Sequence, residues 1–230
     1  MIETGLSIVV SSRETMDMKK DFLEMVSKTC GYNHHIFYVT NTDGIPLTQV
    51  YNEALAQSPY DIVCFIHDDI DFLKEGWGKE IVTLFNKHQE YGIIGVAGAA
   101  EFDEKGAWWN YDQKYGQVLH RAEGKAWLSA FSPLLKTDLE EVCVVDGLCF
   151  AAHRNRITKR FDNEIKGFHM YEIDFCLANF VDGQTKIGVT TNIRVAHESI
   201  GQLNEKWFEN RDQVTEKYKN YYPIKIKKNG

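Results

Sequence analysis

Short runs of consecutive apolar residues alternate along the first half of the chain with segments in which apolar residues recur every three or four positions. The apolar runs, typical of buried strands, lie at 6–10, 36–39, 62–66 and 93–96. The segments between them predict amphipathic helices: Gly31 follows the first as a stop signal, and Thr48 is expected to cap the second. This β-α-β-α-β-α-β order predicts an α/β fold, with a mostly parallel central sheet flanked by helices.

The second half is less regular. Residues 99–137 show no clear elements, and a connection of that length is typical of a functional loop. Further on, the pattern predicts a strand over 142–152 interrupted at Asp146–Gly147, a helix over 171–181, a strand pair over 187–195 and a helix over 205–218 capped by Asn204. We therefore expect a single Rossmann-like domain over 1–230, with a nucleotide-binding half at about 1–98 and a substrate-binding half at about 99–220.

Composition excludes several classes of protein. The 230 residues carry a net charge of −7, which disfavours electrostatic binding of nucleic acid. No apolar run approaches the roughly 18 residues of a membrane span, and the first residues lack the pattern of a signal peptide. Five cysteines without a CxxC pair are typical of reduced, buried thiols. A cytoplasmic protein is expected, and the oligomeric state stays open.

The strongest chemical signal follows the third apolar run, where His67, Asp68, Asp69 and Asp71 stand close together. Ligands of open α/β sheets bind beyond the carboxyl ends of such strands. Clustered carboxylates repel one another, and a hard divalent cation that also binds substrate phosphates relieves that repulsion. The alternative is that these acids lie in a solvated loop or cap the next helix.

Two later segments carry further candidates. Glu172 is positioned to act as a general base, and Asp174 to support it through a hydrogen bond to the backbone or to His169. The alternative is that both carboxylates stabilise a helix N-terminus. His197, at the end of a strand, is a candidate ligand for a metal such as Mn²⁺ if it approaches Asp69; otherwise it is an ordinary hydrogen-bonding histidine.

Residues 108–111, together with Tyr115 and Trp127, are unusually rich in aromatic side chains for a loop. Flat apolar faces with polar rims suit sugar rings or a partner surface, so Trp108 and Trp109 are candidates for acceptor binding. The alternative is a small local core.

From residue 6 to about 218, the order of these motifs resembles the family-2-like glycosyltransferases of the GT-A fold. The segments that carry the resemblance are Leu6–Arg13, Phe37–Asn41, Asn52–Gln57, Tyr60–Asp69, Val145–Phe150 and Tyr171–Asp174. The resemblance implies metal-dependent, inverting transfer of a sugar from a nucleotide-diphospho-sugar to a hydroxyl of a saccharide or other acceptor. Mn²⁺ or Mg²⁺ is the implied cofactor.

The resemblance also implies roles for single residues. Asp69 and His197 are the implied metal ligands, Glu172 the base, and Asp146 and Gly147 part of the acceptor site. The implied nucleotide-sugar contacts are Ser11, Ser12, Arg13, Asn41, Asn52 and Asp68.

The chain departs from the family pattern where His67 replaces the first Asp of the D-x-D motif and Ala178 replaces a trailing Arg. These departures leave open a non-catalytic nucleotide-sugar or carbohydrate-binding module on the same fold. A nucleotidyltransferase is disfavoured, because residues 11–14 offer no glycine for a phosphate loop.

Overall fold

A computed structural model describes residues 4–132, 134–135, 137–199, 201 and 203–226. The ends of the predicted domain, 1–3 and 227–230, lie outside these residues. The described strands are β1 (Leu6–Ser12), β2 (His34–Thr40), β3 (Ile62–Ile66), β4 (Ile70–Phe72), β5 (Tyr91–Gly95), β6 (Ala97–Ala99), β7 (Glu101–Phe102), β8 (Lys114–Ala122), β9 (Lys125–Ala130), β10 (Glu140–Val142), β11 (Val144–Val145), β12 (Cys149–His153), β13 (Lys186–Val189), β14 (Val195–His197) and β15 (Ile224–Lys225). The α-helices are α1 (Lys20–Cys30), α2 (Leu47–Gln57), α3 (Trp77–Lys87), α4 (Tyr171–Leu177) and α5 (Glu205–Tyr218).

The central sheet has seven strands in the order β10-β13-β5-β12-β3-β1-β2. β1 runs parallel to β2 and β3, and β13 runs parallel to β5. The predicted α/β class is confirmed, but the sheet is mixed rather than mostly parallel. The difference arises because β12 lies between β3 and β5 and is antiparallel to both. The strands from the first half of the chain therefore form the sheet as predicted, whereas β12, from the second half, inserts between two of them.

The helices begin and end largely where the sequence predicts. α1 stops at Gly31, whose φ of 67° lies in the left-handed region. Asn204 caps α5 by accepting a hydrogen bond from the backbone N–H of Trp207 at 3.0 Å. The cap predicted at Thr48 is wrong: α2 begins at Leu47, so Thr48 lies inside the first turn, and its hydroxyl donates to a carbonyl at position 165.

A second sheet, in the order β11-β6-β8-β14-β4, adjoins the central one, and β9 pairs with β8 as a hairpin. The expectation that 99–137 lacks regular elements is therefore wrong. β9 is exposed over most of its length, so its sequence shows no alternation of apolar and polar residues. The sequence pattern therefore gave no signal for the β8–β9 hairpin.

The buried core supports one edge of the central sheet. β3 is buried at all five positions, and the apolar residues of β1 are buried beside it. Because β1, β2 and β3 are parallel, their carboxyl ends meet at the same edge, which brings residues 11–13, 41 and 67–69 together. Within the described part of the chain, no helix has both the length and the apolar character needed to cross a bilayer.

Candidate active site

Side chains from the ends of β1 and β2 and from the turn after β3 line a cleft of about 330 Å³. The Ser12 hydroxyl donates a hydrogen bond to the Asp68 carboxylate. Asn41 is buried and donates to Ser11 Oγ at 3.1 Å and to the Ile45 carbonyl at 2.8 Å. These contacts fix the wall of the cleft. Its lining residues are Ser11, Ser12, Arg13, Glu14, Asn41, Asp68 and Phe168.

Lys19 holds the opposite side of Asp68. Its Nζ donates to the Asp68 carbonyl at 3.0 Å and lies 3.5 Å from the carboxylate and 3.3 Å from that of Glu14. Burial would lower the pKa of this ammonium, but the two carboxylates outweigh burial and raise it. Lys19 therefore carries a fixed positive charge beside the cleft, and no sequence motif had identified it.

His67, Asp69 and His197 form a cluster whose candidate ligand atoms all lie within 4.8 Å of one another. Asp69 Oδ1 is 3.3 Å from His197 Nε2 and 4.0 Å from His67 Nδ1. β4 and β14 impose this proximity, since Ile70 pairs with His197 in the antiparallel register. Two imidazoles and one carboxylate are a donor set that suits a borderline divalent cation.

Tyr171 orients the first of these histidines. His67 Nε2 lies 3.3 Å from the Tyr171 hydroxyl, which in turn donates to the Gly147 carbonyl at 3.2 Å. This contact at Nε2 places the other ring nitrogen, Nδ1, on the side of Asp69, where it can serve as a metal ligand in the tautomer that carries its proton on Nε2.

The electrostatics of the cluster favour an ionised carboxylate. Burial raises the pKa of Asp69, but hydrogen bonding and attraction from His197 outweigh burial and lower it below its ordinary value. Burial lowers the pKa of His197, whereas Asp69 raises it above its ordinary value. The pKa of His67 is lowered, chiefly by burial, which keeps that ring neutral. The cluster thus offers a carboxylate and a neutral imidazole to a cation.

Glu172, in the first turn of α4, lies next to Gly147. A Cβ built on Gly147 would lie 3.2 Å from Glu172 Cδ and 2.5 Å from the Tyr171 hydroxyl, so only glycine leaves space there. Burial, with a contribution from Asp146, raises the pKa of Glu172 to about 8. A carboxyl group with this pKa is a potential proton acceptor at mildly alkaline pH.

Asp146 connects the parts of the site. Its carboxylate accepts hydrogen bonds from Trp108 Nε1 at 3.1 Å and from the backbone N–H of Leu148 at 2.9 Å. It contributes to the pKa values of both Glu172 and His197, so its charge acts on both. His67 contacts the Tyr171 hydroxyl, Gly147 lies next to that hydroxyl and to Glu172, and Asp69 contacts His197, so the segments around 69, 146, 172 and 197, which are far apart in sequence, converge on one region.

Four predicted site residues have other tasks. Asn52 binds the backbone of Phe161 through both ends of its amide, at 2.8 and 3.0 Å, and does not line the cleft. Asp174 is buried and pairs with Lys217 Nζ at 2.7 Å, rather than with His169 or the site. Both side chains therefore make structural contacts in place of the predicted ones: the Asn52 amide holds a loop, and Asp174 Oδ1 holds α5 through Lys217 and Tyr218.

The two tryptophans predicted to bind an acceptor also differ from expectation. Trp108 is 3% exposed and donates to Asp146, so its ring cannot stack on a ligand. Trp109 is half-buried and packs against Trp207, with ring centroids 5.9 Å apart. Trp108 and Trp109 therefore fit the alternative interpretation of this segment, a small local core, better than acceptor binding.

Known proteins provide an independent comparison. A family model described as "Glycosyltransferase like family" matches residues 7–224. The solved structure of GalNAc-T7 with UDP, GalNAc and Mn²⁺ has a TM-score of 0.55 at 12% identity, over 95% of this chain and 49% of that one. A mutant Drosophila β-1,4-galactosyltransferase 7 with manganese, UDP-Gal and xylobiose has a TM-score of 0.53 at 12% identity, over 90% and 79% of the two chains.

Comparison with curated proteins gave no match. The chain spans about half the length of the GalNAc-T7 chain that it resembles. At 12% identity these structural likenesses establish the fold alone, and they confirm the GT-A fold expected from the sequence.

Proposed function

The chain belongs to the glycosyltransferase-like family, and from this premise we propose that it transfers a sugar from a nucleotide-diphospho-sugar to an acceptor hydroxyl, assisted by a divalent cation. The observation that carries the proposal is the convergence of His67, Asp69 and His197 beside the cleft at the ends of β1 and β2. Residues that are far apart in the sequence lie close together here, as expected of side chains that bind the same cation and donor.

The donor is assigned to the cleft lined by Ser12, Arg13 and Asn41. Two structural neighbours, GalNAc-T7 and the Drosophila galactosyltransferase, were solved with UDP or UDP-Gal and with manganese. We therefore assign a UDP-sugar as the first donor to test. Arg13 and Lys19 supply positive charge near the diphosphate, and Asp68 is held in place by Ser12 and Lys19.

The cation is assigned to His67, Asp69 and His197. When bound, a divalent cation neutralises charge on the departing nucleoside diphosphate. The donor set fits, because the Tyr171 hydroxyl fixes His67 with Nδ1 toward Asp69. Imidazole ligands favour Mn²⁺ over Mg²⁺, which prefers oxygen ligands. His67 thus joins the two ligands predicted from sequence, and Mn²⁺ is the preferred cofactor.

The acceptor is activated by Glu172. Its carboxylate takes the proton of the attacking hydroxyl, which forms a bond to the anomeric carbon as the bond to the nucleoside diphosphate breaks. A single displacement of this kind inverts the anomeric centre. Burial raises the pKa of Glu172, and the nearby charge of Asp146 raises it further. The higher pKa makes the ionised Glu172 carboxylate a stronger base.

One observation favours a second candidate, a nucleotide-sugar or carbohydrate-binding module without turnover. With a pKa of about 8, Glu172 is mostly protonated at neutral pH and cannot then accept a proton. A module would bind the donor at any pH at which the cluster holds a cation, yet release no sugar.

Two measurements on the same protein separate these candidates. The melting temperature is recorded with UDP, with Mn²⁺ and with both. Free UDP is then assayed after incubation with UDP-sugars and Mn²⁺, with water or an added saccharide as the acceptor of the sugar. The proposal predicts that UDP and Mn²⁺ together raise the melting temperature and that UDP is released. Stabilisation without release supports the module; no stabilisation by UDP and Mn²⁺ contradicts both.

Asp69→Asn and Asp71→Asn form a matched pair for these assays. Asp69 belongs to the metal cluster, whereas Asp71, two residues on, pairs with Arg121 at 2.8 Å. The first substitution should abolish the stabilisation by Mn²⁺ with UDP, and the second should retain it. Equal loss in both variants would contradict the assigned ligand set.

A further inference from the structure

The hairpin formed by β8 and β9 brings an exposed indole into line with the metal cluster. His197 of β14 pairs in register with His120 of β8, and His120 pairs in register with Trp127 of β9. Residues directly opposite each other on neighbouring strands project from the same face of a sheet. Trp127, His120 and His197 therefore form one row of side chains that leads from solvent to the cluster.

The rings along this row contact one another. The His120 ring lies nearly parallel to the Trp127 indole, with centroids 5.3 Å apart and an interplanar angle of 19°. On its other side, the His120 centroid is 5.9 Å from that of His197. Two strand spacings place the indole roughly 10 Å from His197, a distance that a short saccharide can span.

Trp127 is the most exposed of the five tryptophans, at 38%, whereas Trp77, Trp108 and Trp207 are nearly inaccessible. Stacking on His120 covers part of the indole and leaves the rest available. Lys125 and Ser129, two residues to either side, project from the same face and supply polar groups around the ring. An apolar ring with a polar rim suits the apolar face and the hydroxyls of a pyranose.

The hairpin is held in position by an ion-pair bridge on its opposite face. Arg121 Nη1 lies 2.8 Å from a carboxylate oxygen of Asp71 in β4 and 2.8 Å from one of Glu198, which follows β14. The bridge connects β8 to β4 and to the residue that follows β14. Together with the backbone pairing of β14, β8 and β9, it sets the position of the indole relative to His197.

The row extends away from the donor cleft. The cleft adjoins Asp68 at the end of β3, whereas Trp127 lies beyond β14 and β8. Asp146 influences the pKa of His120 as well as that of Glu172, so the row and the candidate base share one neighbour.

From this geometry we propose that Trp127, stacked on His120, is a binding subsite for a pyranose ring of the acceptor, which makes the acceptor a saccharide. The inference rests on the proposed function for the role of acceptor, although binding of a saccharide at Trp127 is testable without turnover. Trp127 replaces Trp108 and Trp109 as the aromatic residue assigned to acceptor recognition.

The test uses three disaccharides as probes: xylobiose, cellobiose and diacetylchitobiose. Their binding to the full chain is measured by saturation-transfer difference NMR, which also shows which sugar protons contact the protein. The variants are Trp127→Ala, Trp127→Phe and, as a control, Leu128→Ala. Leu128 is 57% exposed and follows Trp127 on the same strand, so it projects from the opposite face.

We expect at least one disaccharide to bind the wild-type protein and Trp127→Ala to weaken that binding by roughly ten-fold or more, because a ring contact is lost. Trp127→Phe should retain part of the affinity, and Leu128→Ala all of it. The inference is overturned if none of the probes binds the wild-type protein, or if Trp127→Ala and Leu128→Ala bind equally well. Stabilisation of the wild-type protein by UDP and Mn²⁺ is measured separately, so failure of the proposed function is distinguishable from failure of this subsite.

Discussion

Replacing Glu172 by Gln tests the assignment of the base. The substitution keeps the size of the side chain and removes its ability to accept a proton. General-base catalysis typically contributes roughly 10²- to 10⁴-fold in rate, so release of UDP from a UDP-sugar should fall by that factor. Donor binding should change little, because the proposed donor site, formed by the cleft and the metal cluster, lies on other chain segments.

The pH dependence of the rate of UDP release gives a more specific prediction. Burial, reinforced by Asp146, raises the pKa of Glu172 to about 8. A carboxyl group with that pKa is roughly one-tenth ionised at pH 7 and about nine-tenths ionised at pH 9, so the rate at low substrate should rise about ten-fold across this interval. The variant has no such group and should show no rise.

Stability should change in the opposite sense. The unfolded chain releases this proton near the ordinary glutamate pKa of about 4.3, whereas the folded protein retains it to about pH 8. Between about pH 4.3 and pH 8 the unfolded chain is ionised at this position and the folded protein is not, so the wild-type protein loses stability as the pH rises through this interval and the loss levels off above it. The variant lacks that loss. Melting temperatures of the two proteins between pH 5 and pH 9 measure the difference.

The assay is UDP release at subsaturating UDP-sugar and fixed Mn²⁺, with water or a fixed concentration of a saccharide as the acceptor, recorded from pH 6 to pH 9 for both proteins. Melting temperature with UDP and Mn²⁺ controls for donor binding at each pH. A rate in Glu172→Gln equal to that of the wild-type protein, or the same pH dependence in both, would refute the assignment of Glu172 as base.

Three further substitutions test the surroundings of the base. His67→Asp replaces a nitrogen ligand by oxygen and should shift the preference from Mn²⁺ toward Mg²⁺ in calorimetric titrations with both cations; an unchanged preference contradicts ligation by His67. Gly147→Ala brings a Cβ to 2.5 Å from the Tyr171 hydroxyl and should cost about 1–3 kcal/mol in urea denaturation, with reduced activity; unaltered stability and activity would show that the space is not needed. Asp174→Ala removes the buried acceptor of Lys217 and Tyr218, although Lys217 keeps its contact with Asp162 at 2.7 Å, and should cost about 1–3 kcal/mol while preserving the stabilisation by UDP and Mn²⁺; loss of that stabilisation would restore Asp174 to the site.

The strands and helices of the first half of the chain were predictable from sequence, because the strands are buried and the helices are amphipathic. Pattern and resemblance together identified β1, β2 and β3, and their parallel pairing brings Ser12, Asn41 and Asp69 to one edge. The proximity of His197 to Asp69 depended on β14 pairing with β4, which no local pattern contains. Only the family resemblance, which implies that both residues are metal ligands, predicted that His197 lies near Asp69.

Side-chain environment was harder to predict than side-chain type. Trp108 and Trp127 are the same residue in neighbouring parts of the sequence, yet one is 3% exposed and the other 38%. Asn52 and Asp174 have suitable chemistry for a site, but the Asn52 amide binds a loop and Asp174 Oδ1 binds Lys217 of α5. The role of His67 as a candidate ligand was missed because it stands where the family has Asp, and only the contact with Tyr171 shows how its ring is oriented.

The most direct test of the central claim is an anomalous difference map, recorded at the manganese edge, from crystals grown with Mn²⁺ and UDP. We predict one peak bounded by His67, Asp69 and His197, with the diphosphate beside it and the nucleoside in the cleft near Ser12 and Asn41. A manganese peak away from these three side chains, or UDP bound elsewhere on the protein, would contradict the site described for this chain.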